Sequence, residues 1–185
     1  MKGVISAVAA KGFKIAFVLY RGTGGLPITT SKLYSIQEWR DIKEPVDYLY
    51  EKHCKKWKIR MYIYGCSLGG TVISHLLIKD PDHKFSGATA YGNPFDPARD
   101  TENFKTRACG LYDIVLGLSV NLKMRDTIKD IEKYSSKEQI ESYRKGLNFF
   151  EDKTFRLTNI DTRIIAPMFG YKDSMAYYKA AVISG

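Results

Sequence analysis

The sequence predicts a parallel α/β architecture, and three observations carry the prediction. Three β-prone runs, at 13–20, 60–64 and 85–92, alternate with helical patterns, the order in which right-handed crossovers build a parallel sheet. The middle run leads into Gly65-Cys66-Ser67-Leu68-Gly69, a G-x-S-x-G sequence followed at once by apolar residues at helical spacing. A chain of 185 residues with 44% hydrophobic content can bury one core, so a single domain spanning 1–185 is expected.

The first ten residues are short and faintly like the apolar part of a secretion signal. Lys11-Gly12 with a strand directly behind reads instead as the end of a packed helix and its glycine cap. In the run 13–20 the centre, Ile15 to Leu19, is continuously apolar, as expected for a strand covered on both faces. Arg21-Gly22-Thr23-Gly24-Gly25 follows at its C-terminal end. The spacing fits neither the dinucleotide fingerprint nor the P-loop, so a flexible loop on the active edge of the sheet is preferred to a phosphate cradle.

Ser35 and Glu38 have the spacing of a capping box, with Tyr34 and Trp39 placed as a hydrophobic staple, which starts a helix there. Ile36, Trp39, Ile42, Val46, Leu49 and Tyr50 give it one apolar face to about His53, with Pro45 kinking or dividing it. The third strand is closed by Asn93-Pro94. Beyond Phe95 the patterns are helical: Ile114, Val115, Leu118 and Leu122; Ile128 and Ile131; Ile140, Tyr143 and Leu147 behind a second capping box at Ser135 and Glu138. Asp173 or Ser174 caps a last helix through Tyr177 and Tyr178. Residues 96–180 are therefore expected to form a helical region, either a cap that shapes an apolar pocket or a cover for the sheet.

Strand, sharp turn and helix are the setting in which G-x-S-x-G becomes a nucleophile elbow. The reversal forces the central serine into an unfavourable backbone conformation, and Gly65 and Gly69 stand where a Cβ would meet the neighbouring strand or helix. Gly70 lets the helix lie close to the sheet. In that geometry the Ser67 hydroxyl stands clear of the backbone at a helix N-terminus, and the N–H of Leu68 is free to stabilise an oxyanion.

Lys+Arg 29 against Asp+Glu 20 give a net charge of +9, an excess that suits acidic partners or an anionic membrane surface. It is not focused into any nucleic-acid module, so nucleic-acid binding is not expected. The basic run 52–60 between a helix and a strand reads as a solvated loop. Cys54, Cys66 and Cys109 are odd in number and unpaired in spacing, which points to a reducing, intracellular compartment. No zinc-type spacing occurs, and no run approaches the roughly 20 apolar residues of a membrane span.

Tyr20-Arg-Gly-Thr-Gly-Gly25, the 34–49 helix, Gly65-Cys-Ser-Leu-Gly-Gly70, Ala166-Pro-Met-Phe-Gly-Tyr171 and Tyr177-Tyr178 together resemble the YheT-type branch of the α/β-hydrolase superfamily. That branch includes esterases, membrane-associated lipases or phospholipases, and medium-chain acyltransferases. The resemblance implies a partial α/β-hydrolase fold and a fatty-acyl ester or thioester as substrate. It also implies a serine triad without metal or cofactor, Ser67 as nucleophile and Leu68 as an oxyanion-hole residue. Peripheral membrane association is compatible with it; oligomeric state is not specified.

The departures are as informative as the match. In this superfamily the acid and the histidine follow the nucleophile on later loops, and the chain ends about where the strand leading to the acid would begin. The His-Gly loop that donates the second oxyanion N–H has no counterpart. His53, His75 and His83 read as packing or surface residues, because eight residues of helix place His75 about 12 Å from the turn. Asp96, just after the third strand, is the one acid worth testing. The resemblance thus implies an internal piece of a longer hydrolase or a degenerate descendant, impaired by lack of a base. Three functions follow: ester hydrolysis through an acyl-enzyme, acyl transfer by the same nucleophile, or a non-catalytic interaction domain.

Overall fold

The computed structural model describes residues 2–148 and 156–183. Two of the three β-prone runs pair. Strand β1 (Tyr62–Cys66) and strand β2 (Gly87–Tyr91) lie parallel, in register from Tyr62 opposite Gly87 to Cys66 opposite Tyr91. The ladder is prolonged at both ends, where Ser86 N–H donates to the Met61 carbonyl at 2.7 Å and Ser67 N–H to the Tyr91 carbonyl at 2.9 Å. Helix α1 (Lys2–Ala10) precedes the sheet, and the Gly12 N–H donates to the Ala9 carbonyl with φ +82° at Gly12. The cap forms as the sequence suggests, but Val4 and Val8 are exposed, so α1 is not the packed helix expected.

The run 13–20 is not a strand of this sheet, which corrects the expectation of three. Phe13 meets the Tyr62 ring at 6.3 Å, and Val18 and Tyr20 turn into the core, yet no backbone hydrogen bond among the described residues joins the run to β1 or β2. Phe13, Ile15, Phe17 and Leu19 are exposed. Apolarity predicts burial; a strand also needs a neighbour to take its N–H and C=O groups, and among the described residues β1 pairs with β2 alone.

Helix α2 (Arg40–Leu49) and helix α3 (Leu68–Lys79) pack through Ile42, Val46, Val72 and Leu76, all buried, with Ile63, Met61 and Phe85 closing this small core from the sheet side. Pro45 lies inside α2 without dividing it, and α2 runs into a widened turn at Tyr50–Cys54. The first capping box does not form. The Ser35 hydroxyl lies 3.1 Å from the Tyr177 hydroxyl and accepts from Gln37 N–H, so the helix starts at Arg40. Tyr34 and Trp39 pack on different cores, which also dissolves the expected staple.

The larger core lies among the later helices. Helix α4 (Pro97–Thr106) is capped by the Asp96 carboxylate, which accepts from Arg99 N–H at 3.0 Å. A tight turn at Arg107–Gly110 holds Ala108, Cys109 and Gly110 at φ +51°, +55° and +75° before helix α5 (Leu111–Glu132). Helix α6 (Lys137–Leu147) carries its capping box one residue later than expected, between Ser136 and Gln139, while Ser135 donates back to the Ile131 carbonyl. Helix α7 (Leu157–Ile160) continues through a widened turn at Asp161–Ile165 into α8 (Ala166–Met168), and α9 (Ser174–Ala180) is capped by Asp173. Ile131, Tyr143, Ile160, Ile164 and Tyr177 form the centre of this core, each 2% exposed or less.

Candidate active site

Ser67 occupies the junction of β1 and α3, at φ +53° and ψ −126°, a conformation that L-residues rarely adopt. The side chain is exposed and makes no capping bond to the helix it precedes. Its carbonyl accepts from Gly70 N–H at 2.8 Å and Thr71 N–H at 3.3 Å, which closes the first turn of α3. As the first residue of α3, Leu68 has no intrahelical acceptor for its N–H, and the dipole of a 12-residue helix adds to its pull on negative charge.

Contact enforces Gly65 and Gly70, whereas the clash expected at Gly69 is not found. A Cβ on Gly65 would stand 2.4 Å from the Gly69 carbonyl oxygen, and one on Gly70 would stand 2.6 Å from Asn93 Cβ. Gly69 has more room, its nearest neighbour being the Tyr20 hydroxyl at 3.3 Å. Burial pushes the Tyr20 phenol up to about 12, so it stays protonated near neutrality.

Because β1 and β2 are parallel, the 92–96 loop emerges at the same edge as Ser67. Thr71, fully buried, ties the two by donating to the Pro94 carbonyl at 2.9 Å. Asn93 packs against Gly70, and its Nδ2 is buried without an acceptor among the described residues. The spacing of the motif does not reveal Asn93 or Thr71; the Asn93-Pro94 strand terminator is the only sequence signal that falls here. Asp96 stands on this edge but serves as the α4 cap.

No histidine is hydrogen-bonded to Ser67 among the described residues. His75 is buried on α3, with Nε2 at 3.1 Å from the Ala181 carbonyl, and burial holds its pKa below the usual histidine range. His53 is exposed in the turn after α2, and His83 stacks on Phe85 at 5.9 Å. Among the described residues no group of three or more His, Cys, Asp or Glu is arranged to hold a metal ion.

A cavity of about 570 Å³ lies between the Gly22–Ile28 loop and Lys123, Thr127 and Asp130 of α5. Neither Ser67 nor Leu68 lines it. The loop is anchored at its base, where Thr23 donates to the Tyr20 carbonyl at 2.6 Å and Arg21 pairs with Asp41 at 2.5 Å.

No family model matches the chain. No solved structure matches it either. Among curated proteins it is 28% identical over 95% of its length to an abhydrolase domain-containing protein of Dictyostelium discoideum, covering 42% of that protein. It is 26% identical over 98% of its length to a monoacylglycerol lipase of Saccharomyces cerevisiae, covering 39% of it. A medium-chain fatty acid ethyl ester synthase/esterase of the same yeast is 25% identical over 91% of the chain and 40% of that protein. The chain thus spans about two fifths of the length of the curated relatives it matches. Relatives of these names, together with a parallel strand pair carrying helices, support the α/β-hydrolase superfamily as the place of this chain.

Proposed function

We propose that Ser67 is the acyl-accepting nucleophile of a carboxylic-ester hydrolase of the YheT-type branch, acting on fatty-acyl lipids. The observation that carries the reading is an exposed serine at φ +53° between a parallel strand and a helix whose first N–H is unpaired within the helix. The names of the relatives, a lipase and an ester synthase/esterase among them, favour lipid esters over other acyl compounds.

In the proposed step Ser67 Oγ attacks the ester carbonyl carbon and passes its proton to a base. The carbonyl oxygen gains charge facing the Leu68 N–H. The carbon–oxygen bond to the alcohol then breaks, and the alcohol leaves with a proton. Water attacks the acyl-serine in the second half, releasing the acid and restoring the hydroxyl. An alcohol in place of water gives ester synthesis from the same intermediate, a second reading favoured by the double name of one yeast relative. Residues 96–180 act in this scheme as a cap over the edge that carries Ser67.

Reaction with a fluorophosphonate, followed by peptide mass spectrometry on the 185-residue chain, tests the proposal. With no histidine bonded to Ser67, labelling is expected to be slow, about a thousandfold or more below a complete triad. It should nevertheless fall on Ser67 alone and vanish in Ser67→Ala. Label spread over several serines, or missing from Ser67, defeats the assignment.

A further inference from the structure

The outward face of the first three turns of α5 is an uncovered apolar row. Leu111, Val115, Leu118 and Leu122 recur at helical spacing and are 58, 52, 40 and 57% exposed, while Asp113 and Asn121 face inward and are buried. Tyr112 flanks the row. Its face carries no charge: the one ionisable carboxylate between 107 and 122 is Asp113, which accepts from Leu157 N–H at 3.0 Å and lies 3.6 Å from the Arg156 guanidinium. Arg107 precedes the row and Lys123 follows it, both exposed and without an ion pair among the described residues.

We propose that this face docks on an anionic lipid bilayer, with α5 lying in the headgroup plane, the row 111–122 dipping into the acyl boundary, and Arg107 and Lys123 on lipid phosphates. An α-helix satisfies its own backbone, so an apolar helical face enters the boundary at no polar cost. The open edges of β1 and β2, which still offer N–H and C=O groups, do not. A second copy is a poorer occupant, because pairing two rows sets Arg107 and Lys123 against like charges on a chain of net charge +9. The row is about 17 Å long, and no helix among the described residues is long and apolar enough to cross a membrane, so the geometry is in-plane. Lys123 also lines the 570 Å³ cavity, which docking brings to the lipid surface.

The test is sedimentation of the full chain with sucrose-loaded vesicles of phosphatidylcholine alone or mixed two to one with phosphatidylserine. Hydrogen exchange is followed on the same samples. The chain is expected to pellet with the serine-containing vesicles, with slowed exchange over 107–125. Val115→Glu with Leu118→Glu should lower partitioning about tenfold or more, and Arg107→Glu with Lys123→Glu should erase the preference for the anionic vesicles. Absence of pelleting, pelleting unchanged by the paired glutamates, or protection confined to another segment overturns the proposal. Both pairs are exposed, so their melting curves should match the parent; if they do not, exchange on the parent chain alone decides. Fluorophosphonate reaction at Ser67 is read separately, so docking and acylation stand or fall independently.

Discussion

At Ser67 the backbone holds a conformation that costs of order 1–3 kcal/mol in an L-residue, and the proposed chemistry is the reason to keep it. Ser67→Gly is therefore expected to raise the melting temperature by a few degrees while removing the fluorophosphonate site; a fall in stability would show that Ser67 is not strained. Asp161 stores a different tension. Buried beside Asp113, it is pushed up to about 7 by desolvation, although it accepts a hydrogen bond from Tyr178 O–H. The folded chain thus keeps a proton that the unfolded chain releases, so this contribution is full below about pH 4 and is lost as pH climbs through about 7. His75, held low by burial, works in the opposite sense over part of that window, so the parent must be compared with Asp161→Asn. The variant, which cannot ionise but still accepts from Tyr178, should gain stability relative to the parent between pH 5 and pH 8, by about 1.4 kcal/mol for each unit titrated. Parallel melting curves at both pH values would remove Asp161 from the account. At this scale the sequence was most legible where a residue has no alternative: Gly65 and Gly70 are dictated by backbone and side-chain contacts at 2.4 and 2.6 Å. Asn93 was not legible, because its partner Gly70 is distant in sequence and asparagine before proline announces only a turn.

The α3 helix is the element whose placement everything near Ser67 follows. Gly70→Ala adds a methyl group at 2.6 Å from Asn93, an overpacking worth about 1–3 kcal/mol, whereas Gly69→Ala meets only the Tyr20 hydroxyl at 3.3 Å and gains helix propensity. Urea midpoints should therefore drop for the first and hold or rise for the second; equal effects would mean that α3 does not pack as described. Elements defined by local chemistry were readable, such as the Gly12 cap and the Asp173 cap of α9. Those that depend on distant partners were not. Ser35 looks like a helix cap until Tyr177, far along the chain, takes its hydroxyl; the run 13–20 looks like a buried strand until its ladder partners are sought. The capping box of α6 slid by one residue because Ser135 and Ser136 are chemically alike and only the local fold chooses between them.

For the whole molecule the dominant fact is imbalance: a large helical core and a thin sheet side on which Phe13, Ile15, Phe17, Leu19, Tyr62, Tyr64 and Tyr91 stay exposed. Uncovered apolar side chains beside two unpaired strand edges favour association through the sheet. The 185-residue chain is expected to bind anilinonaphthalene sulfonate and to scatter light increasingly with concentration; a monomer with no dye binding over the same range would refute this. The α/β plan was legible from the alternation of patterns, but the size of the sheet was not, since periodicity counts candidate strands and not the hydrogen bonds between them.

The turn at 107–110 carries a consequence for how the helical half is held together. Ala108 and Cys109 lie in the left-handed region at roughly 1–2 kcal/mol apiece, so the corner joining α4 to α5 is a pre-stressed knuckle that would relax if released. It is kept bent by ties on both arms: Ile183 N–H grips the Phe95 carbonyl at the foot of α4, and the Asp113 carboxylate grips Leu157 N–H from α5. Loosening either clasp is expected to free the first turns of α5, the part that bears the apolar row, while Met124, Ile128 and Ile131 stay seated in the core.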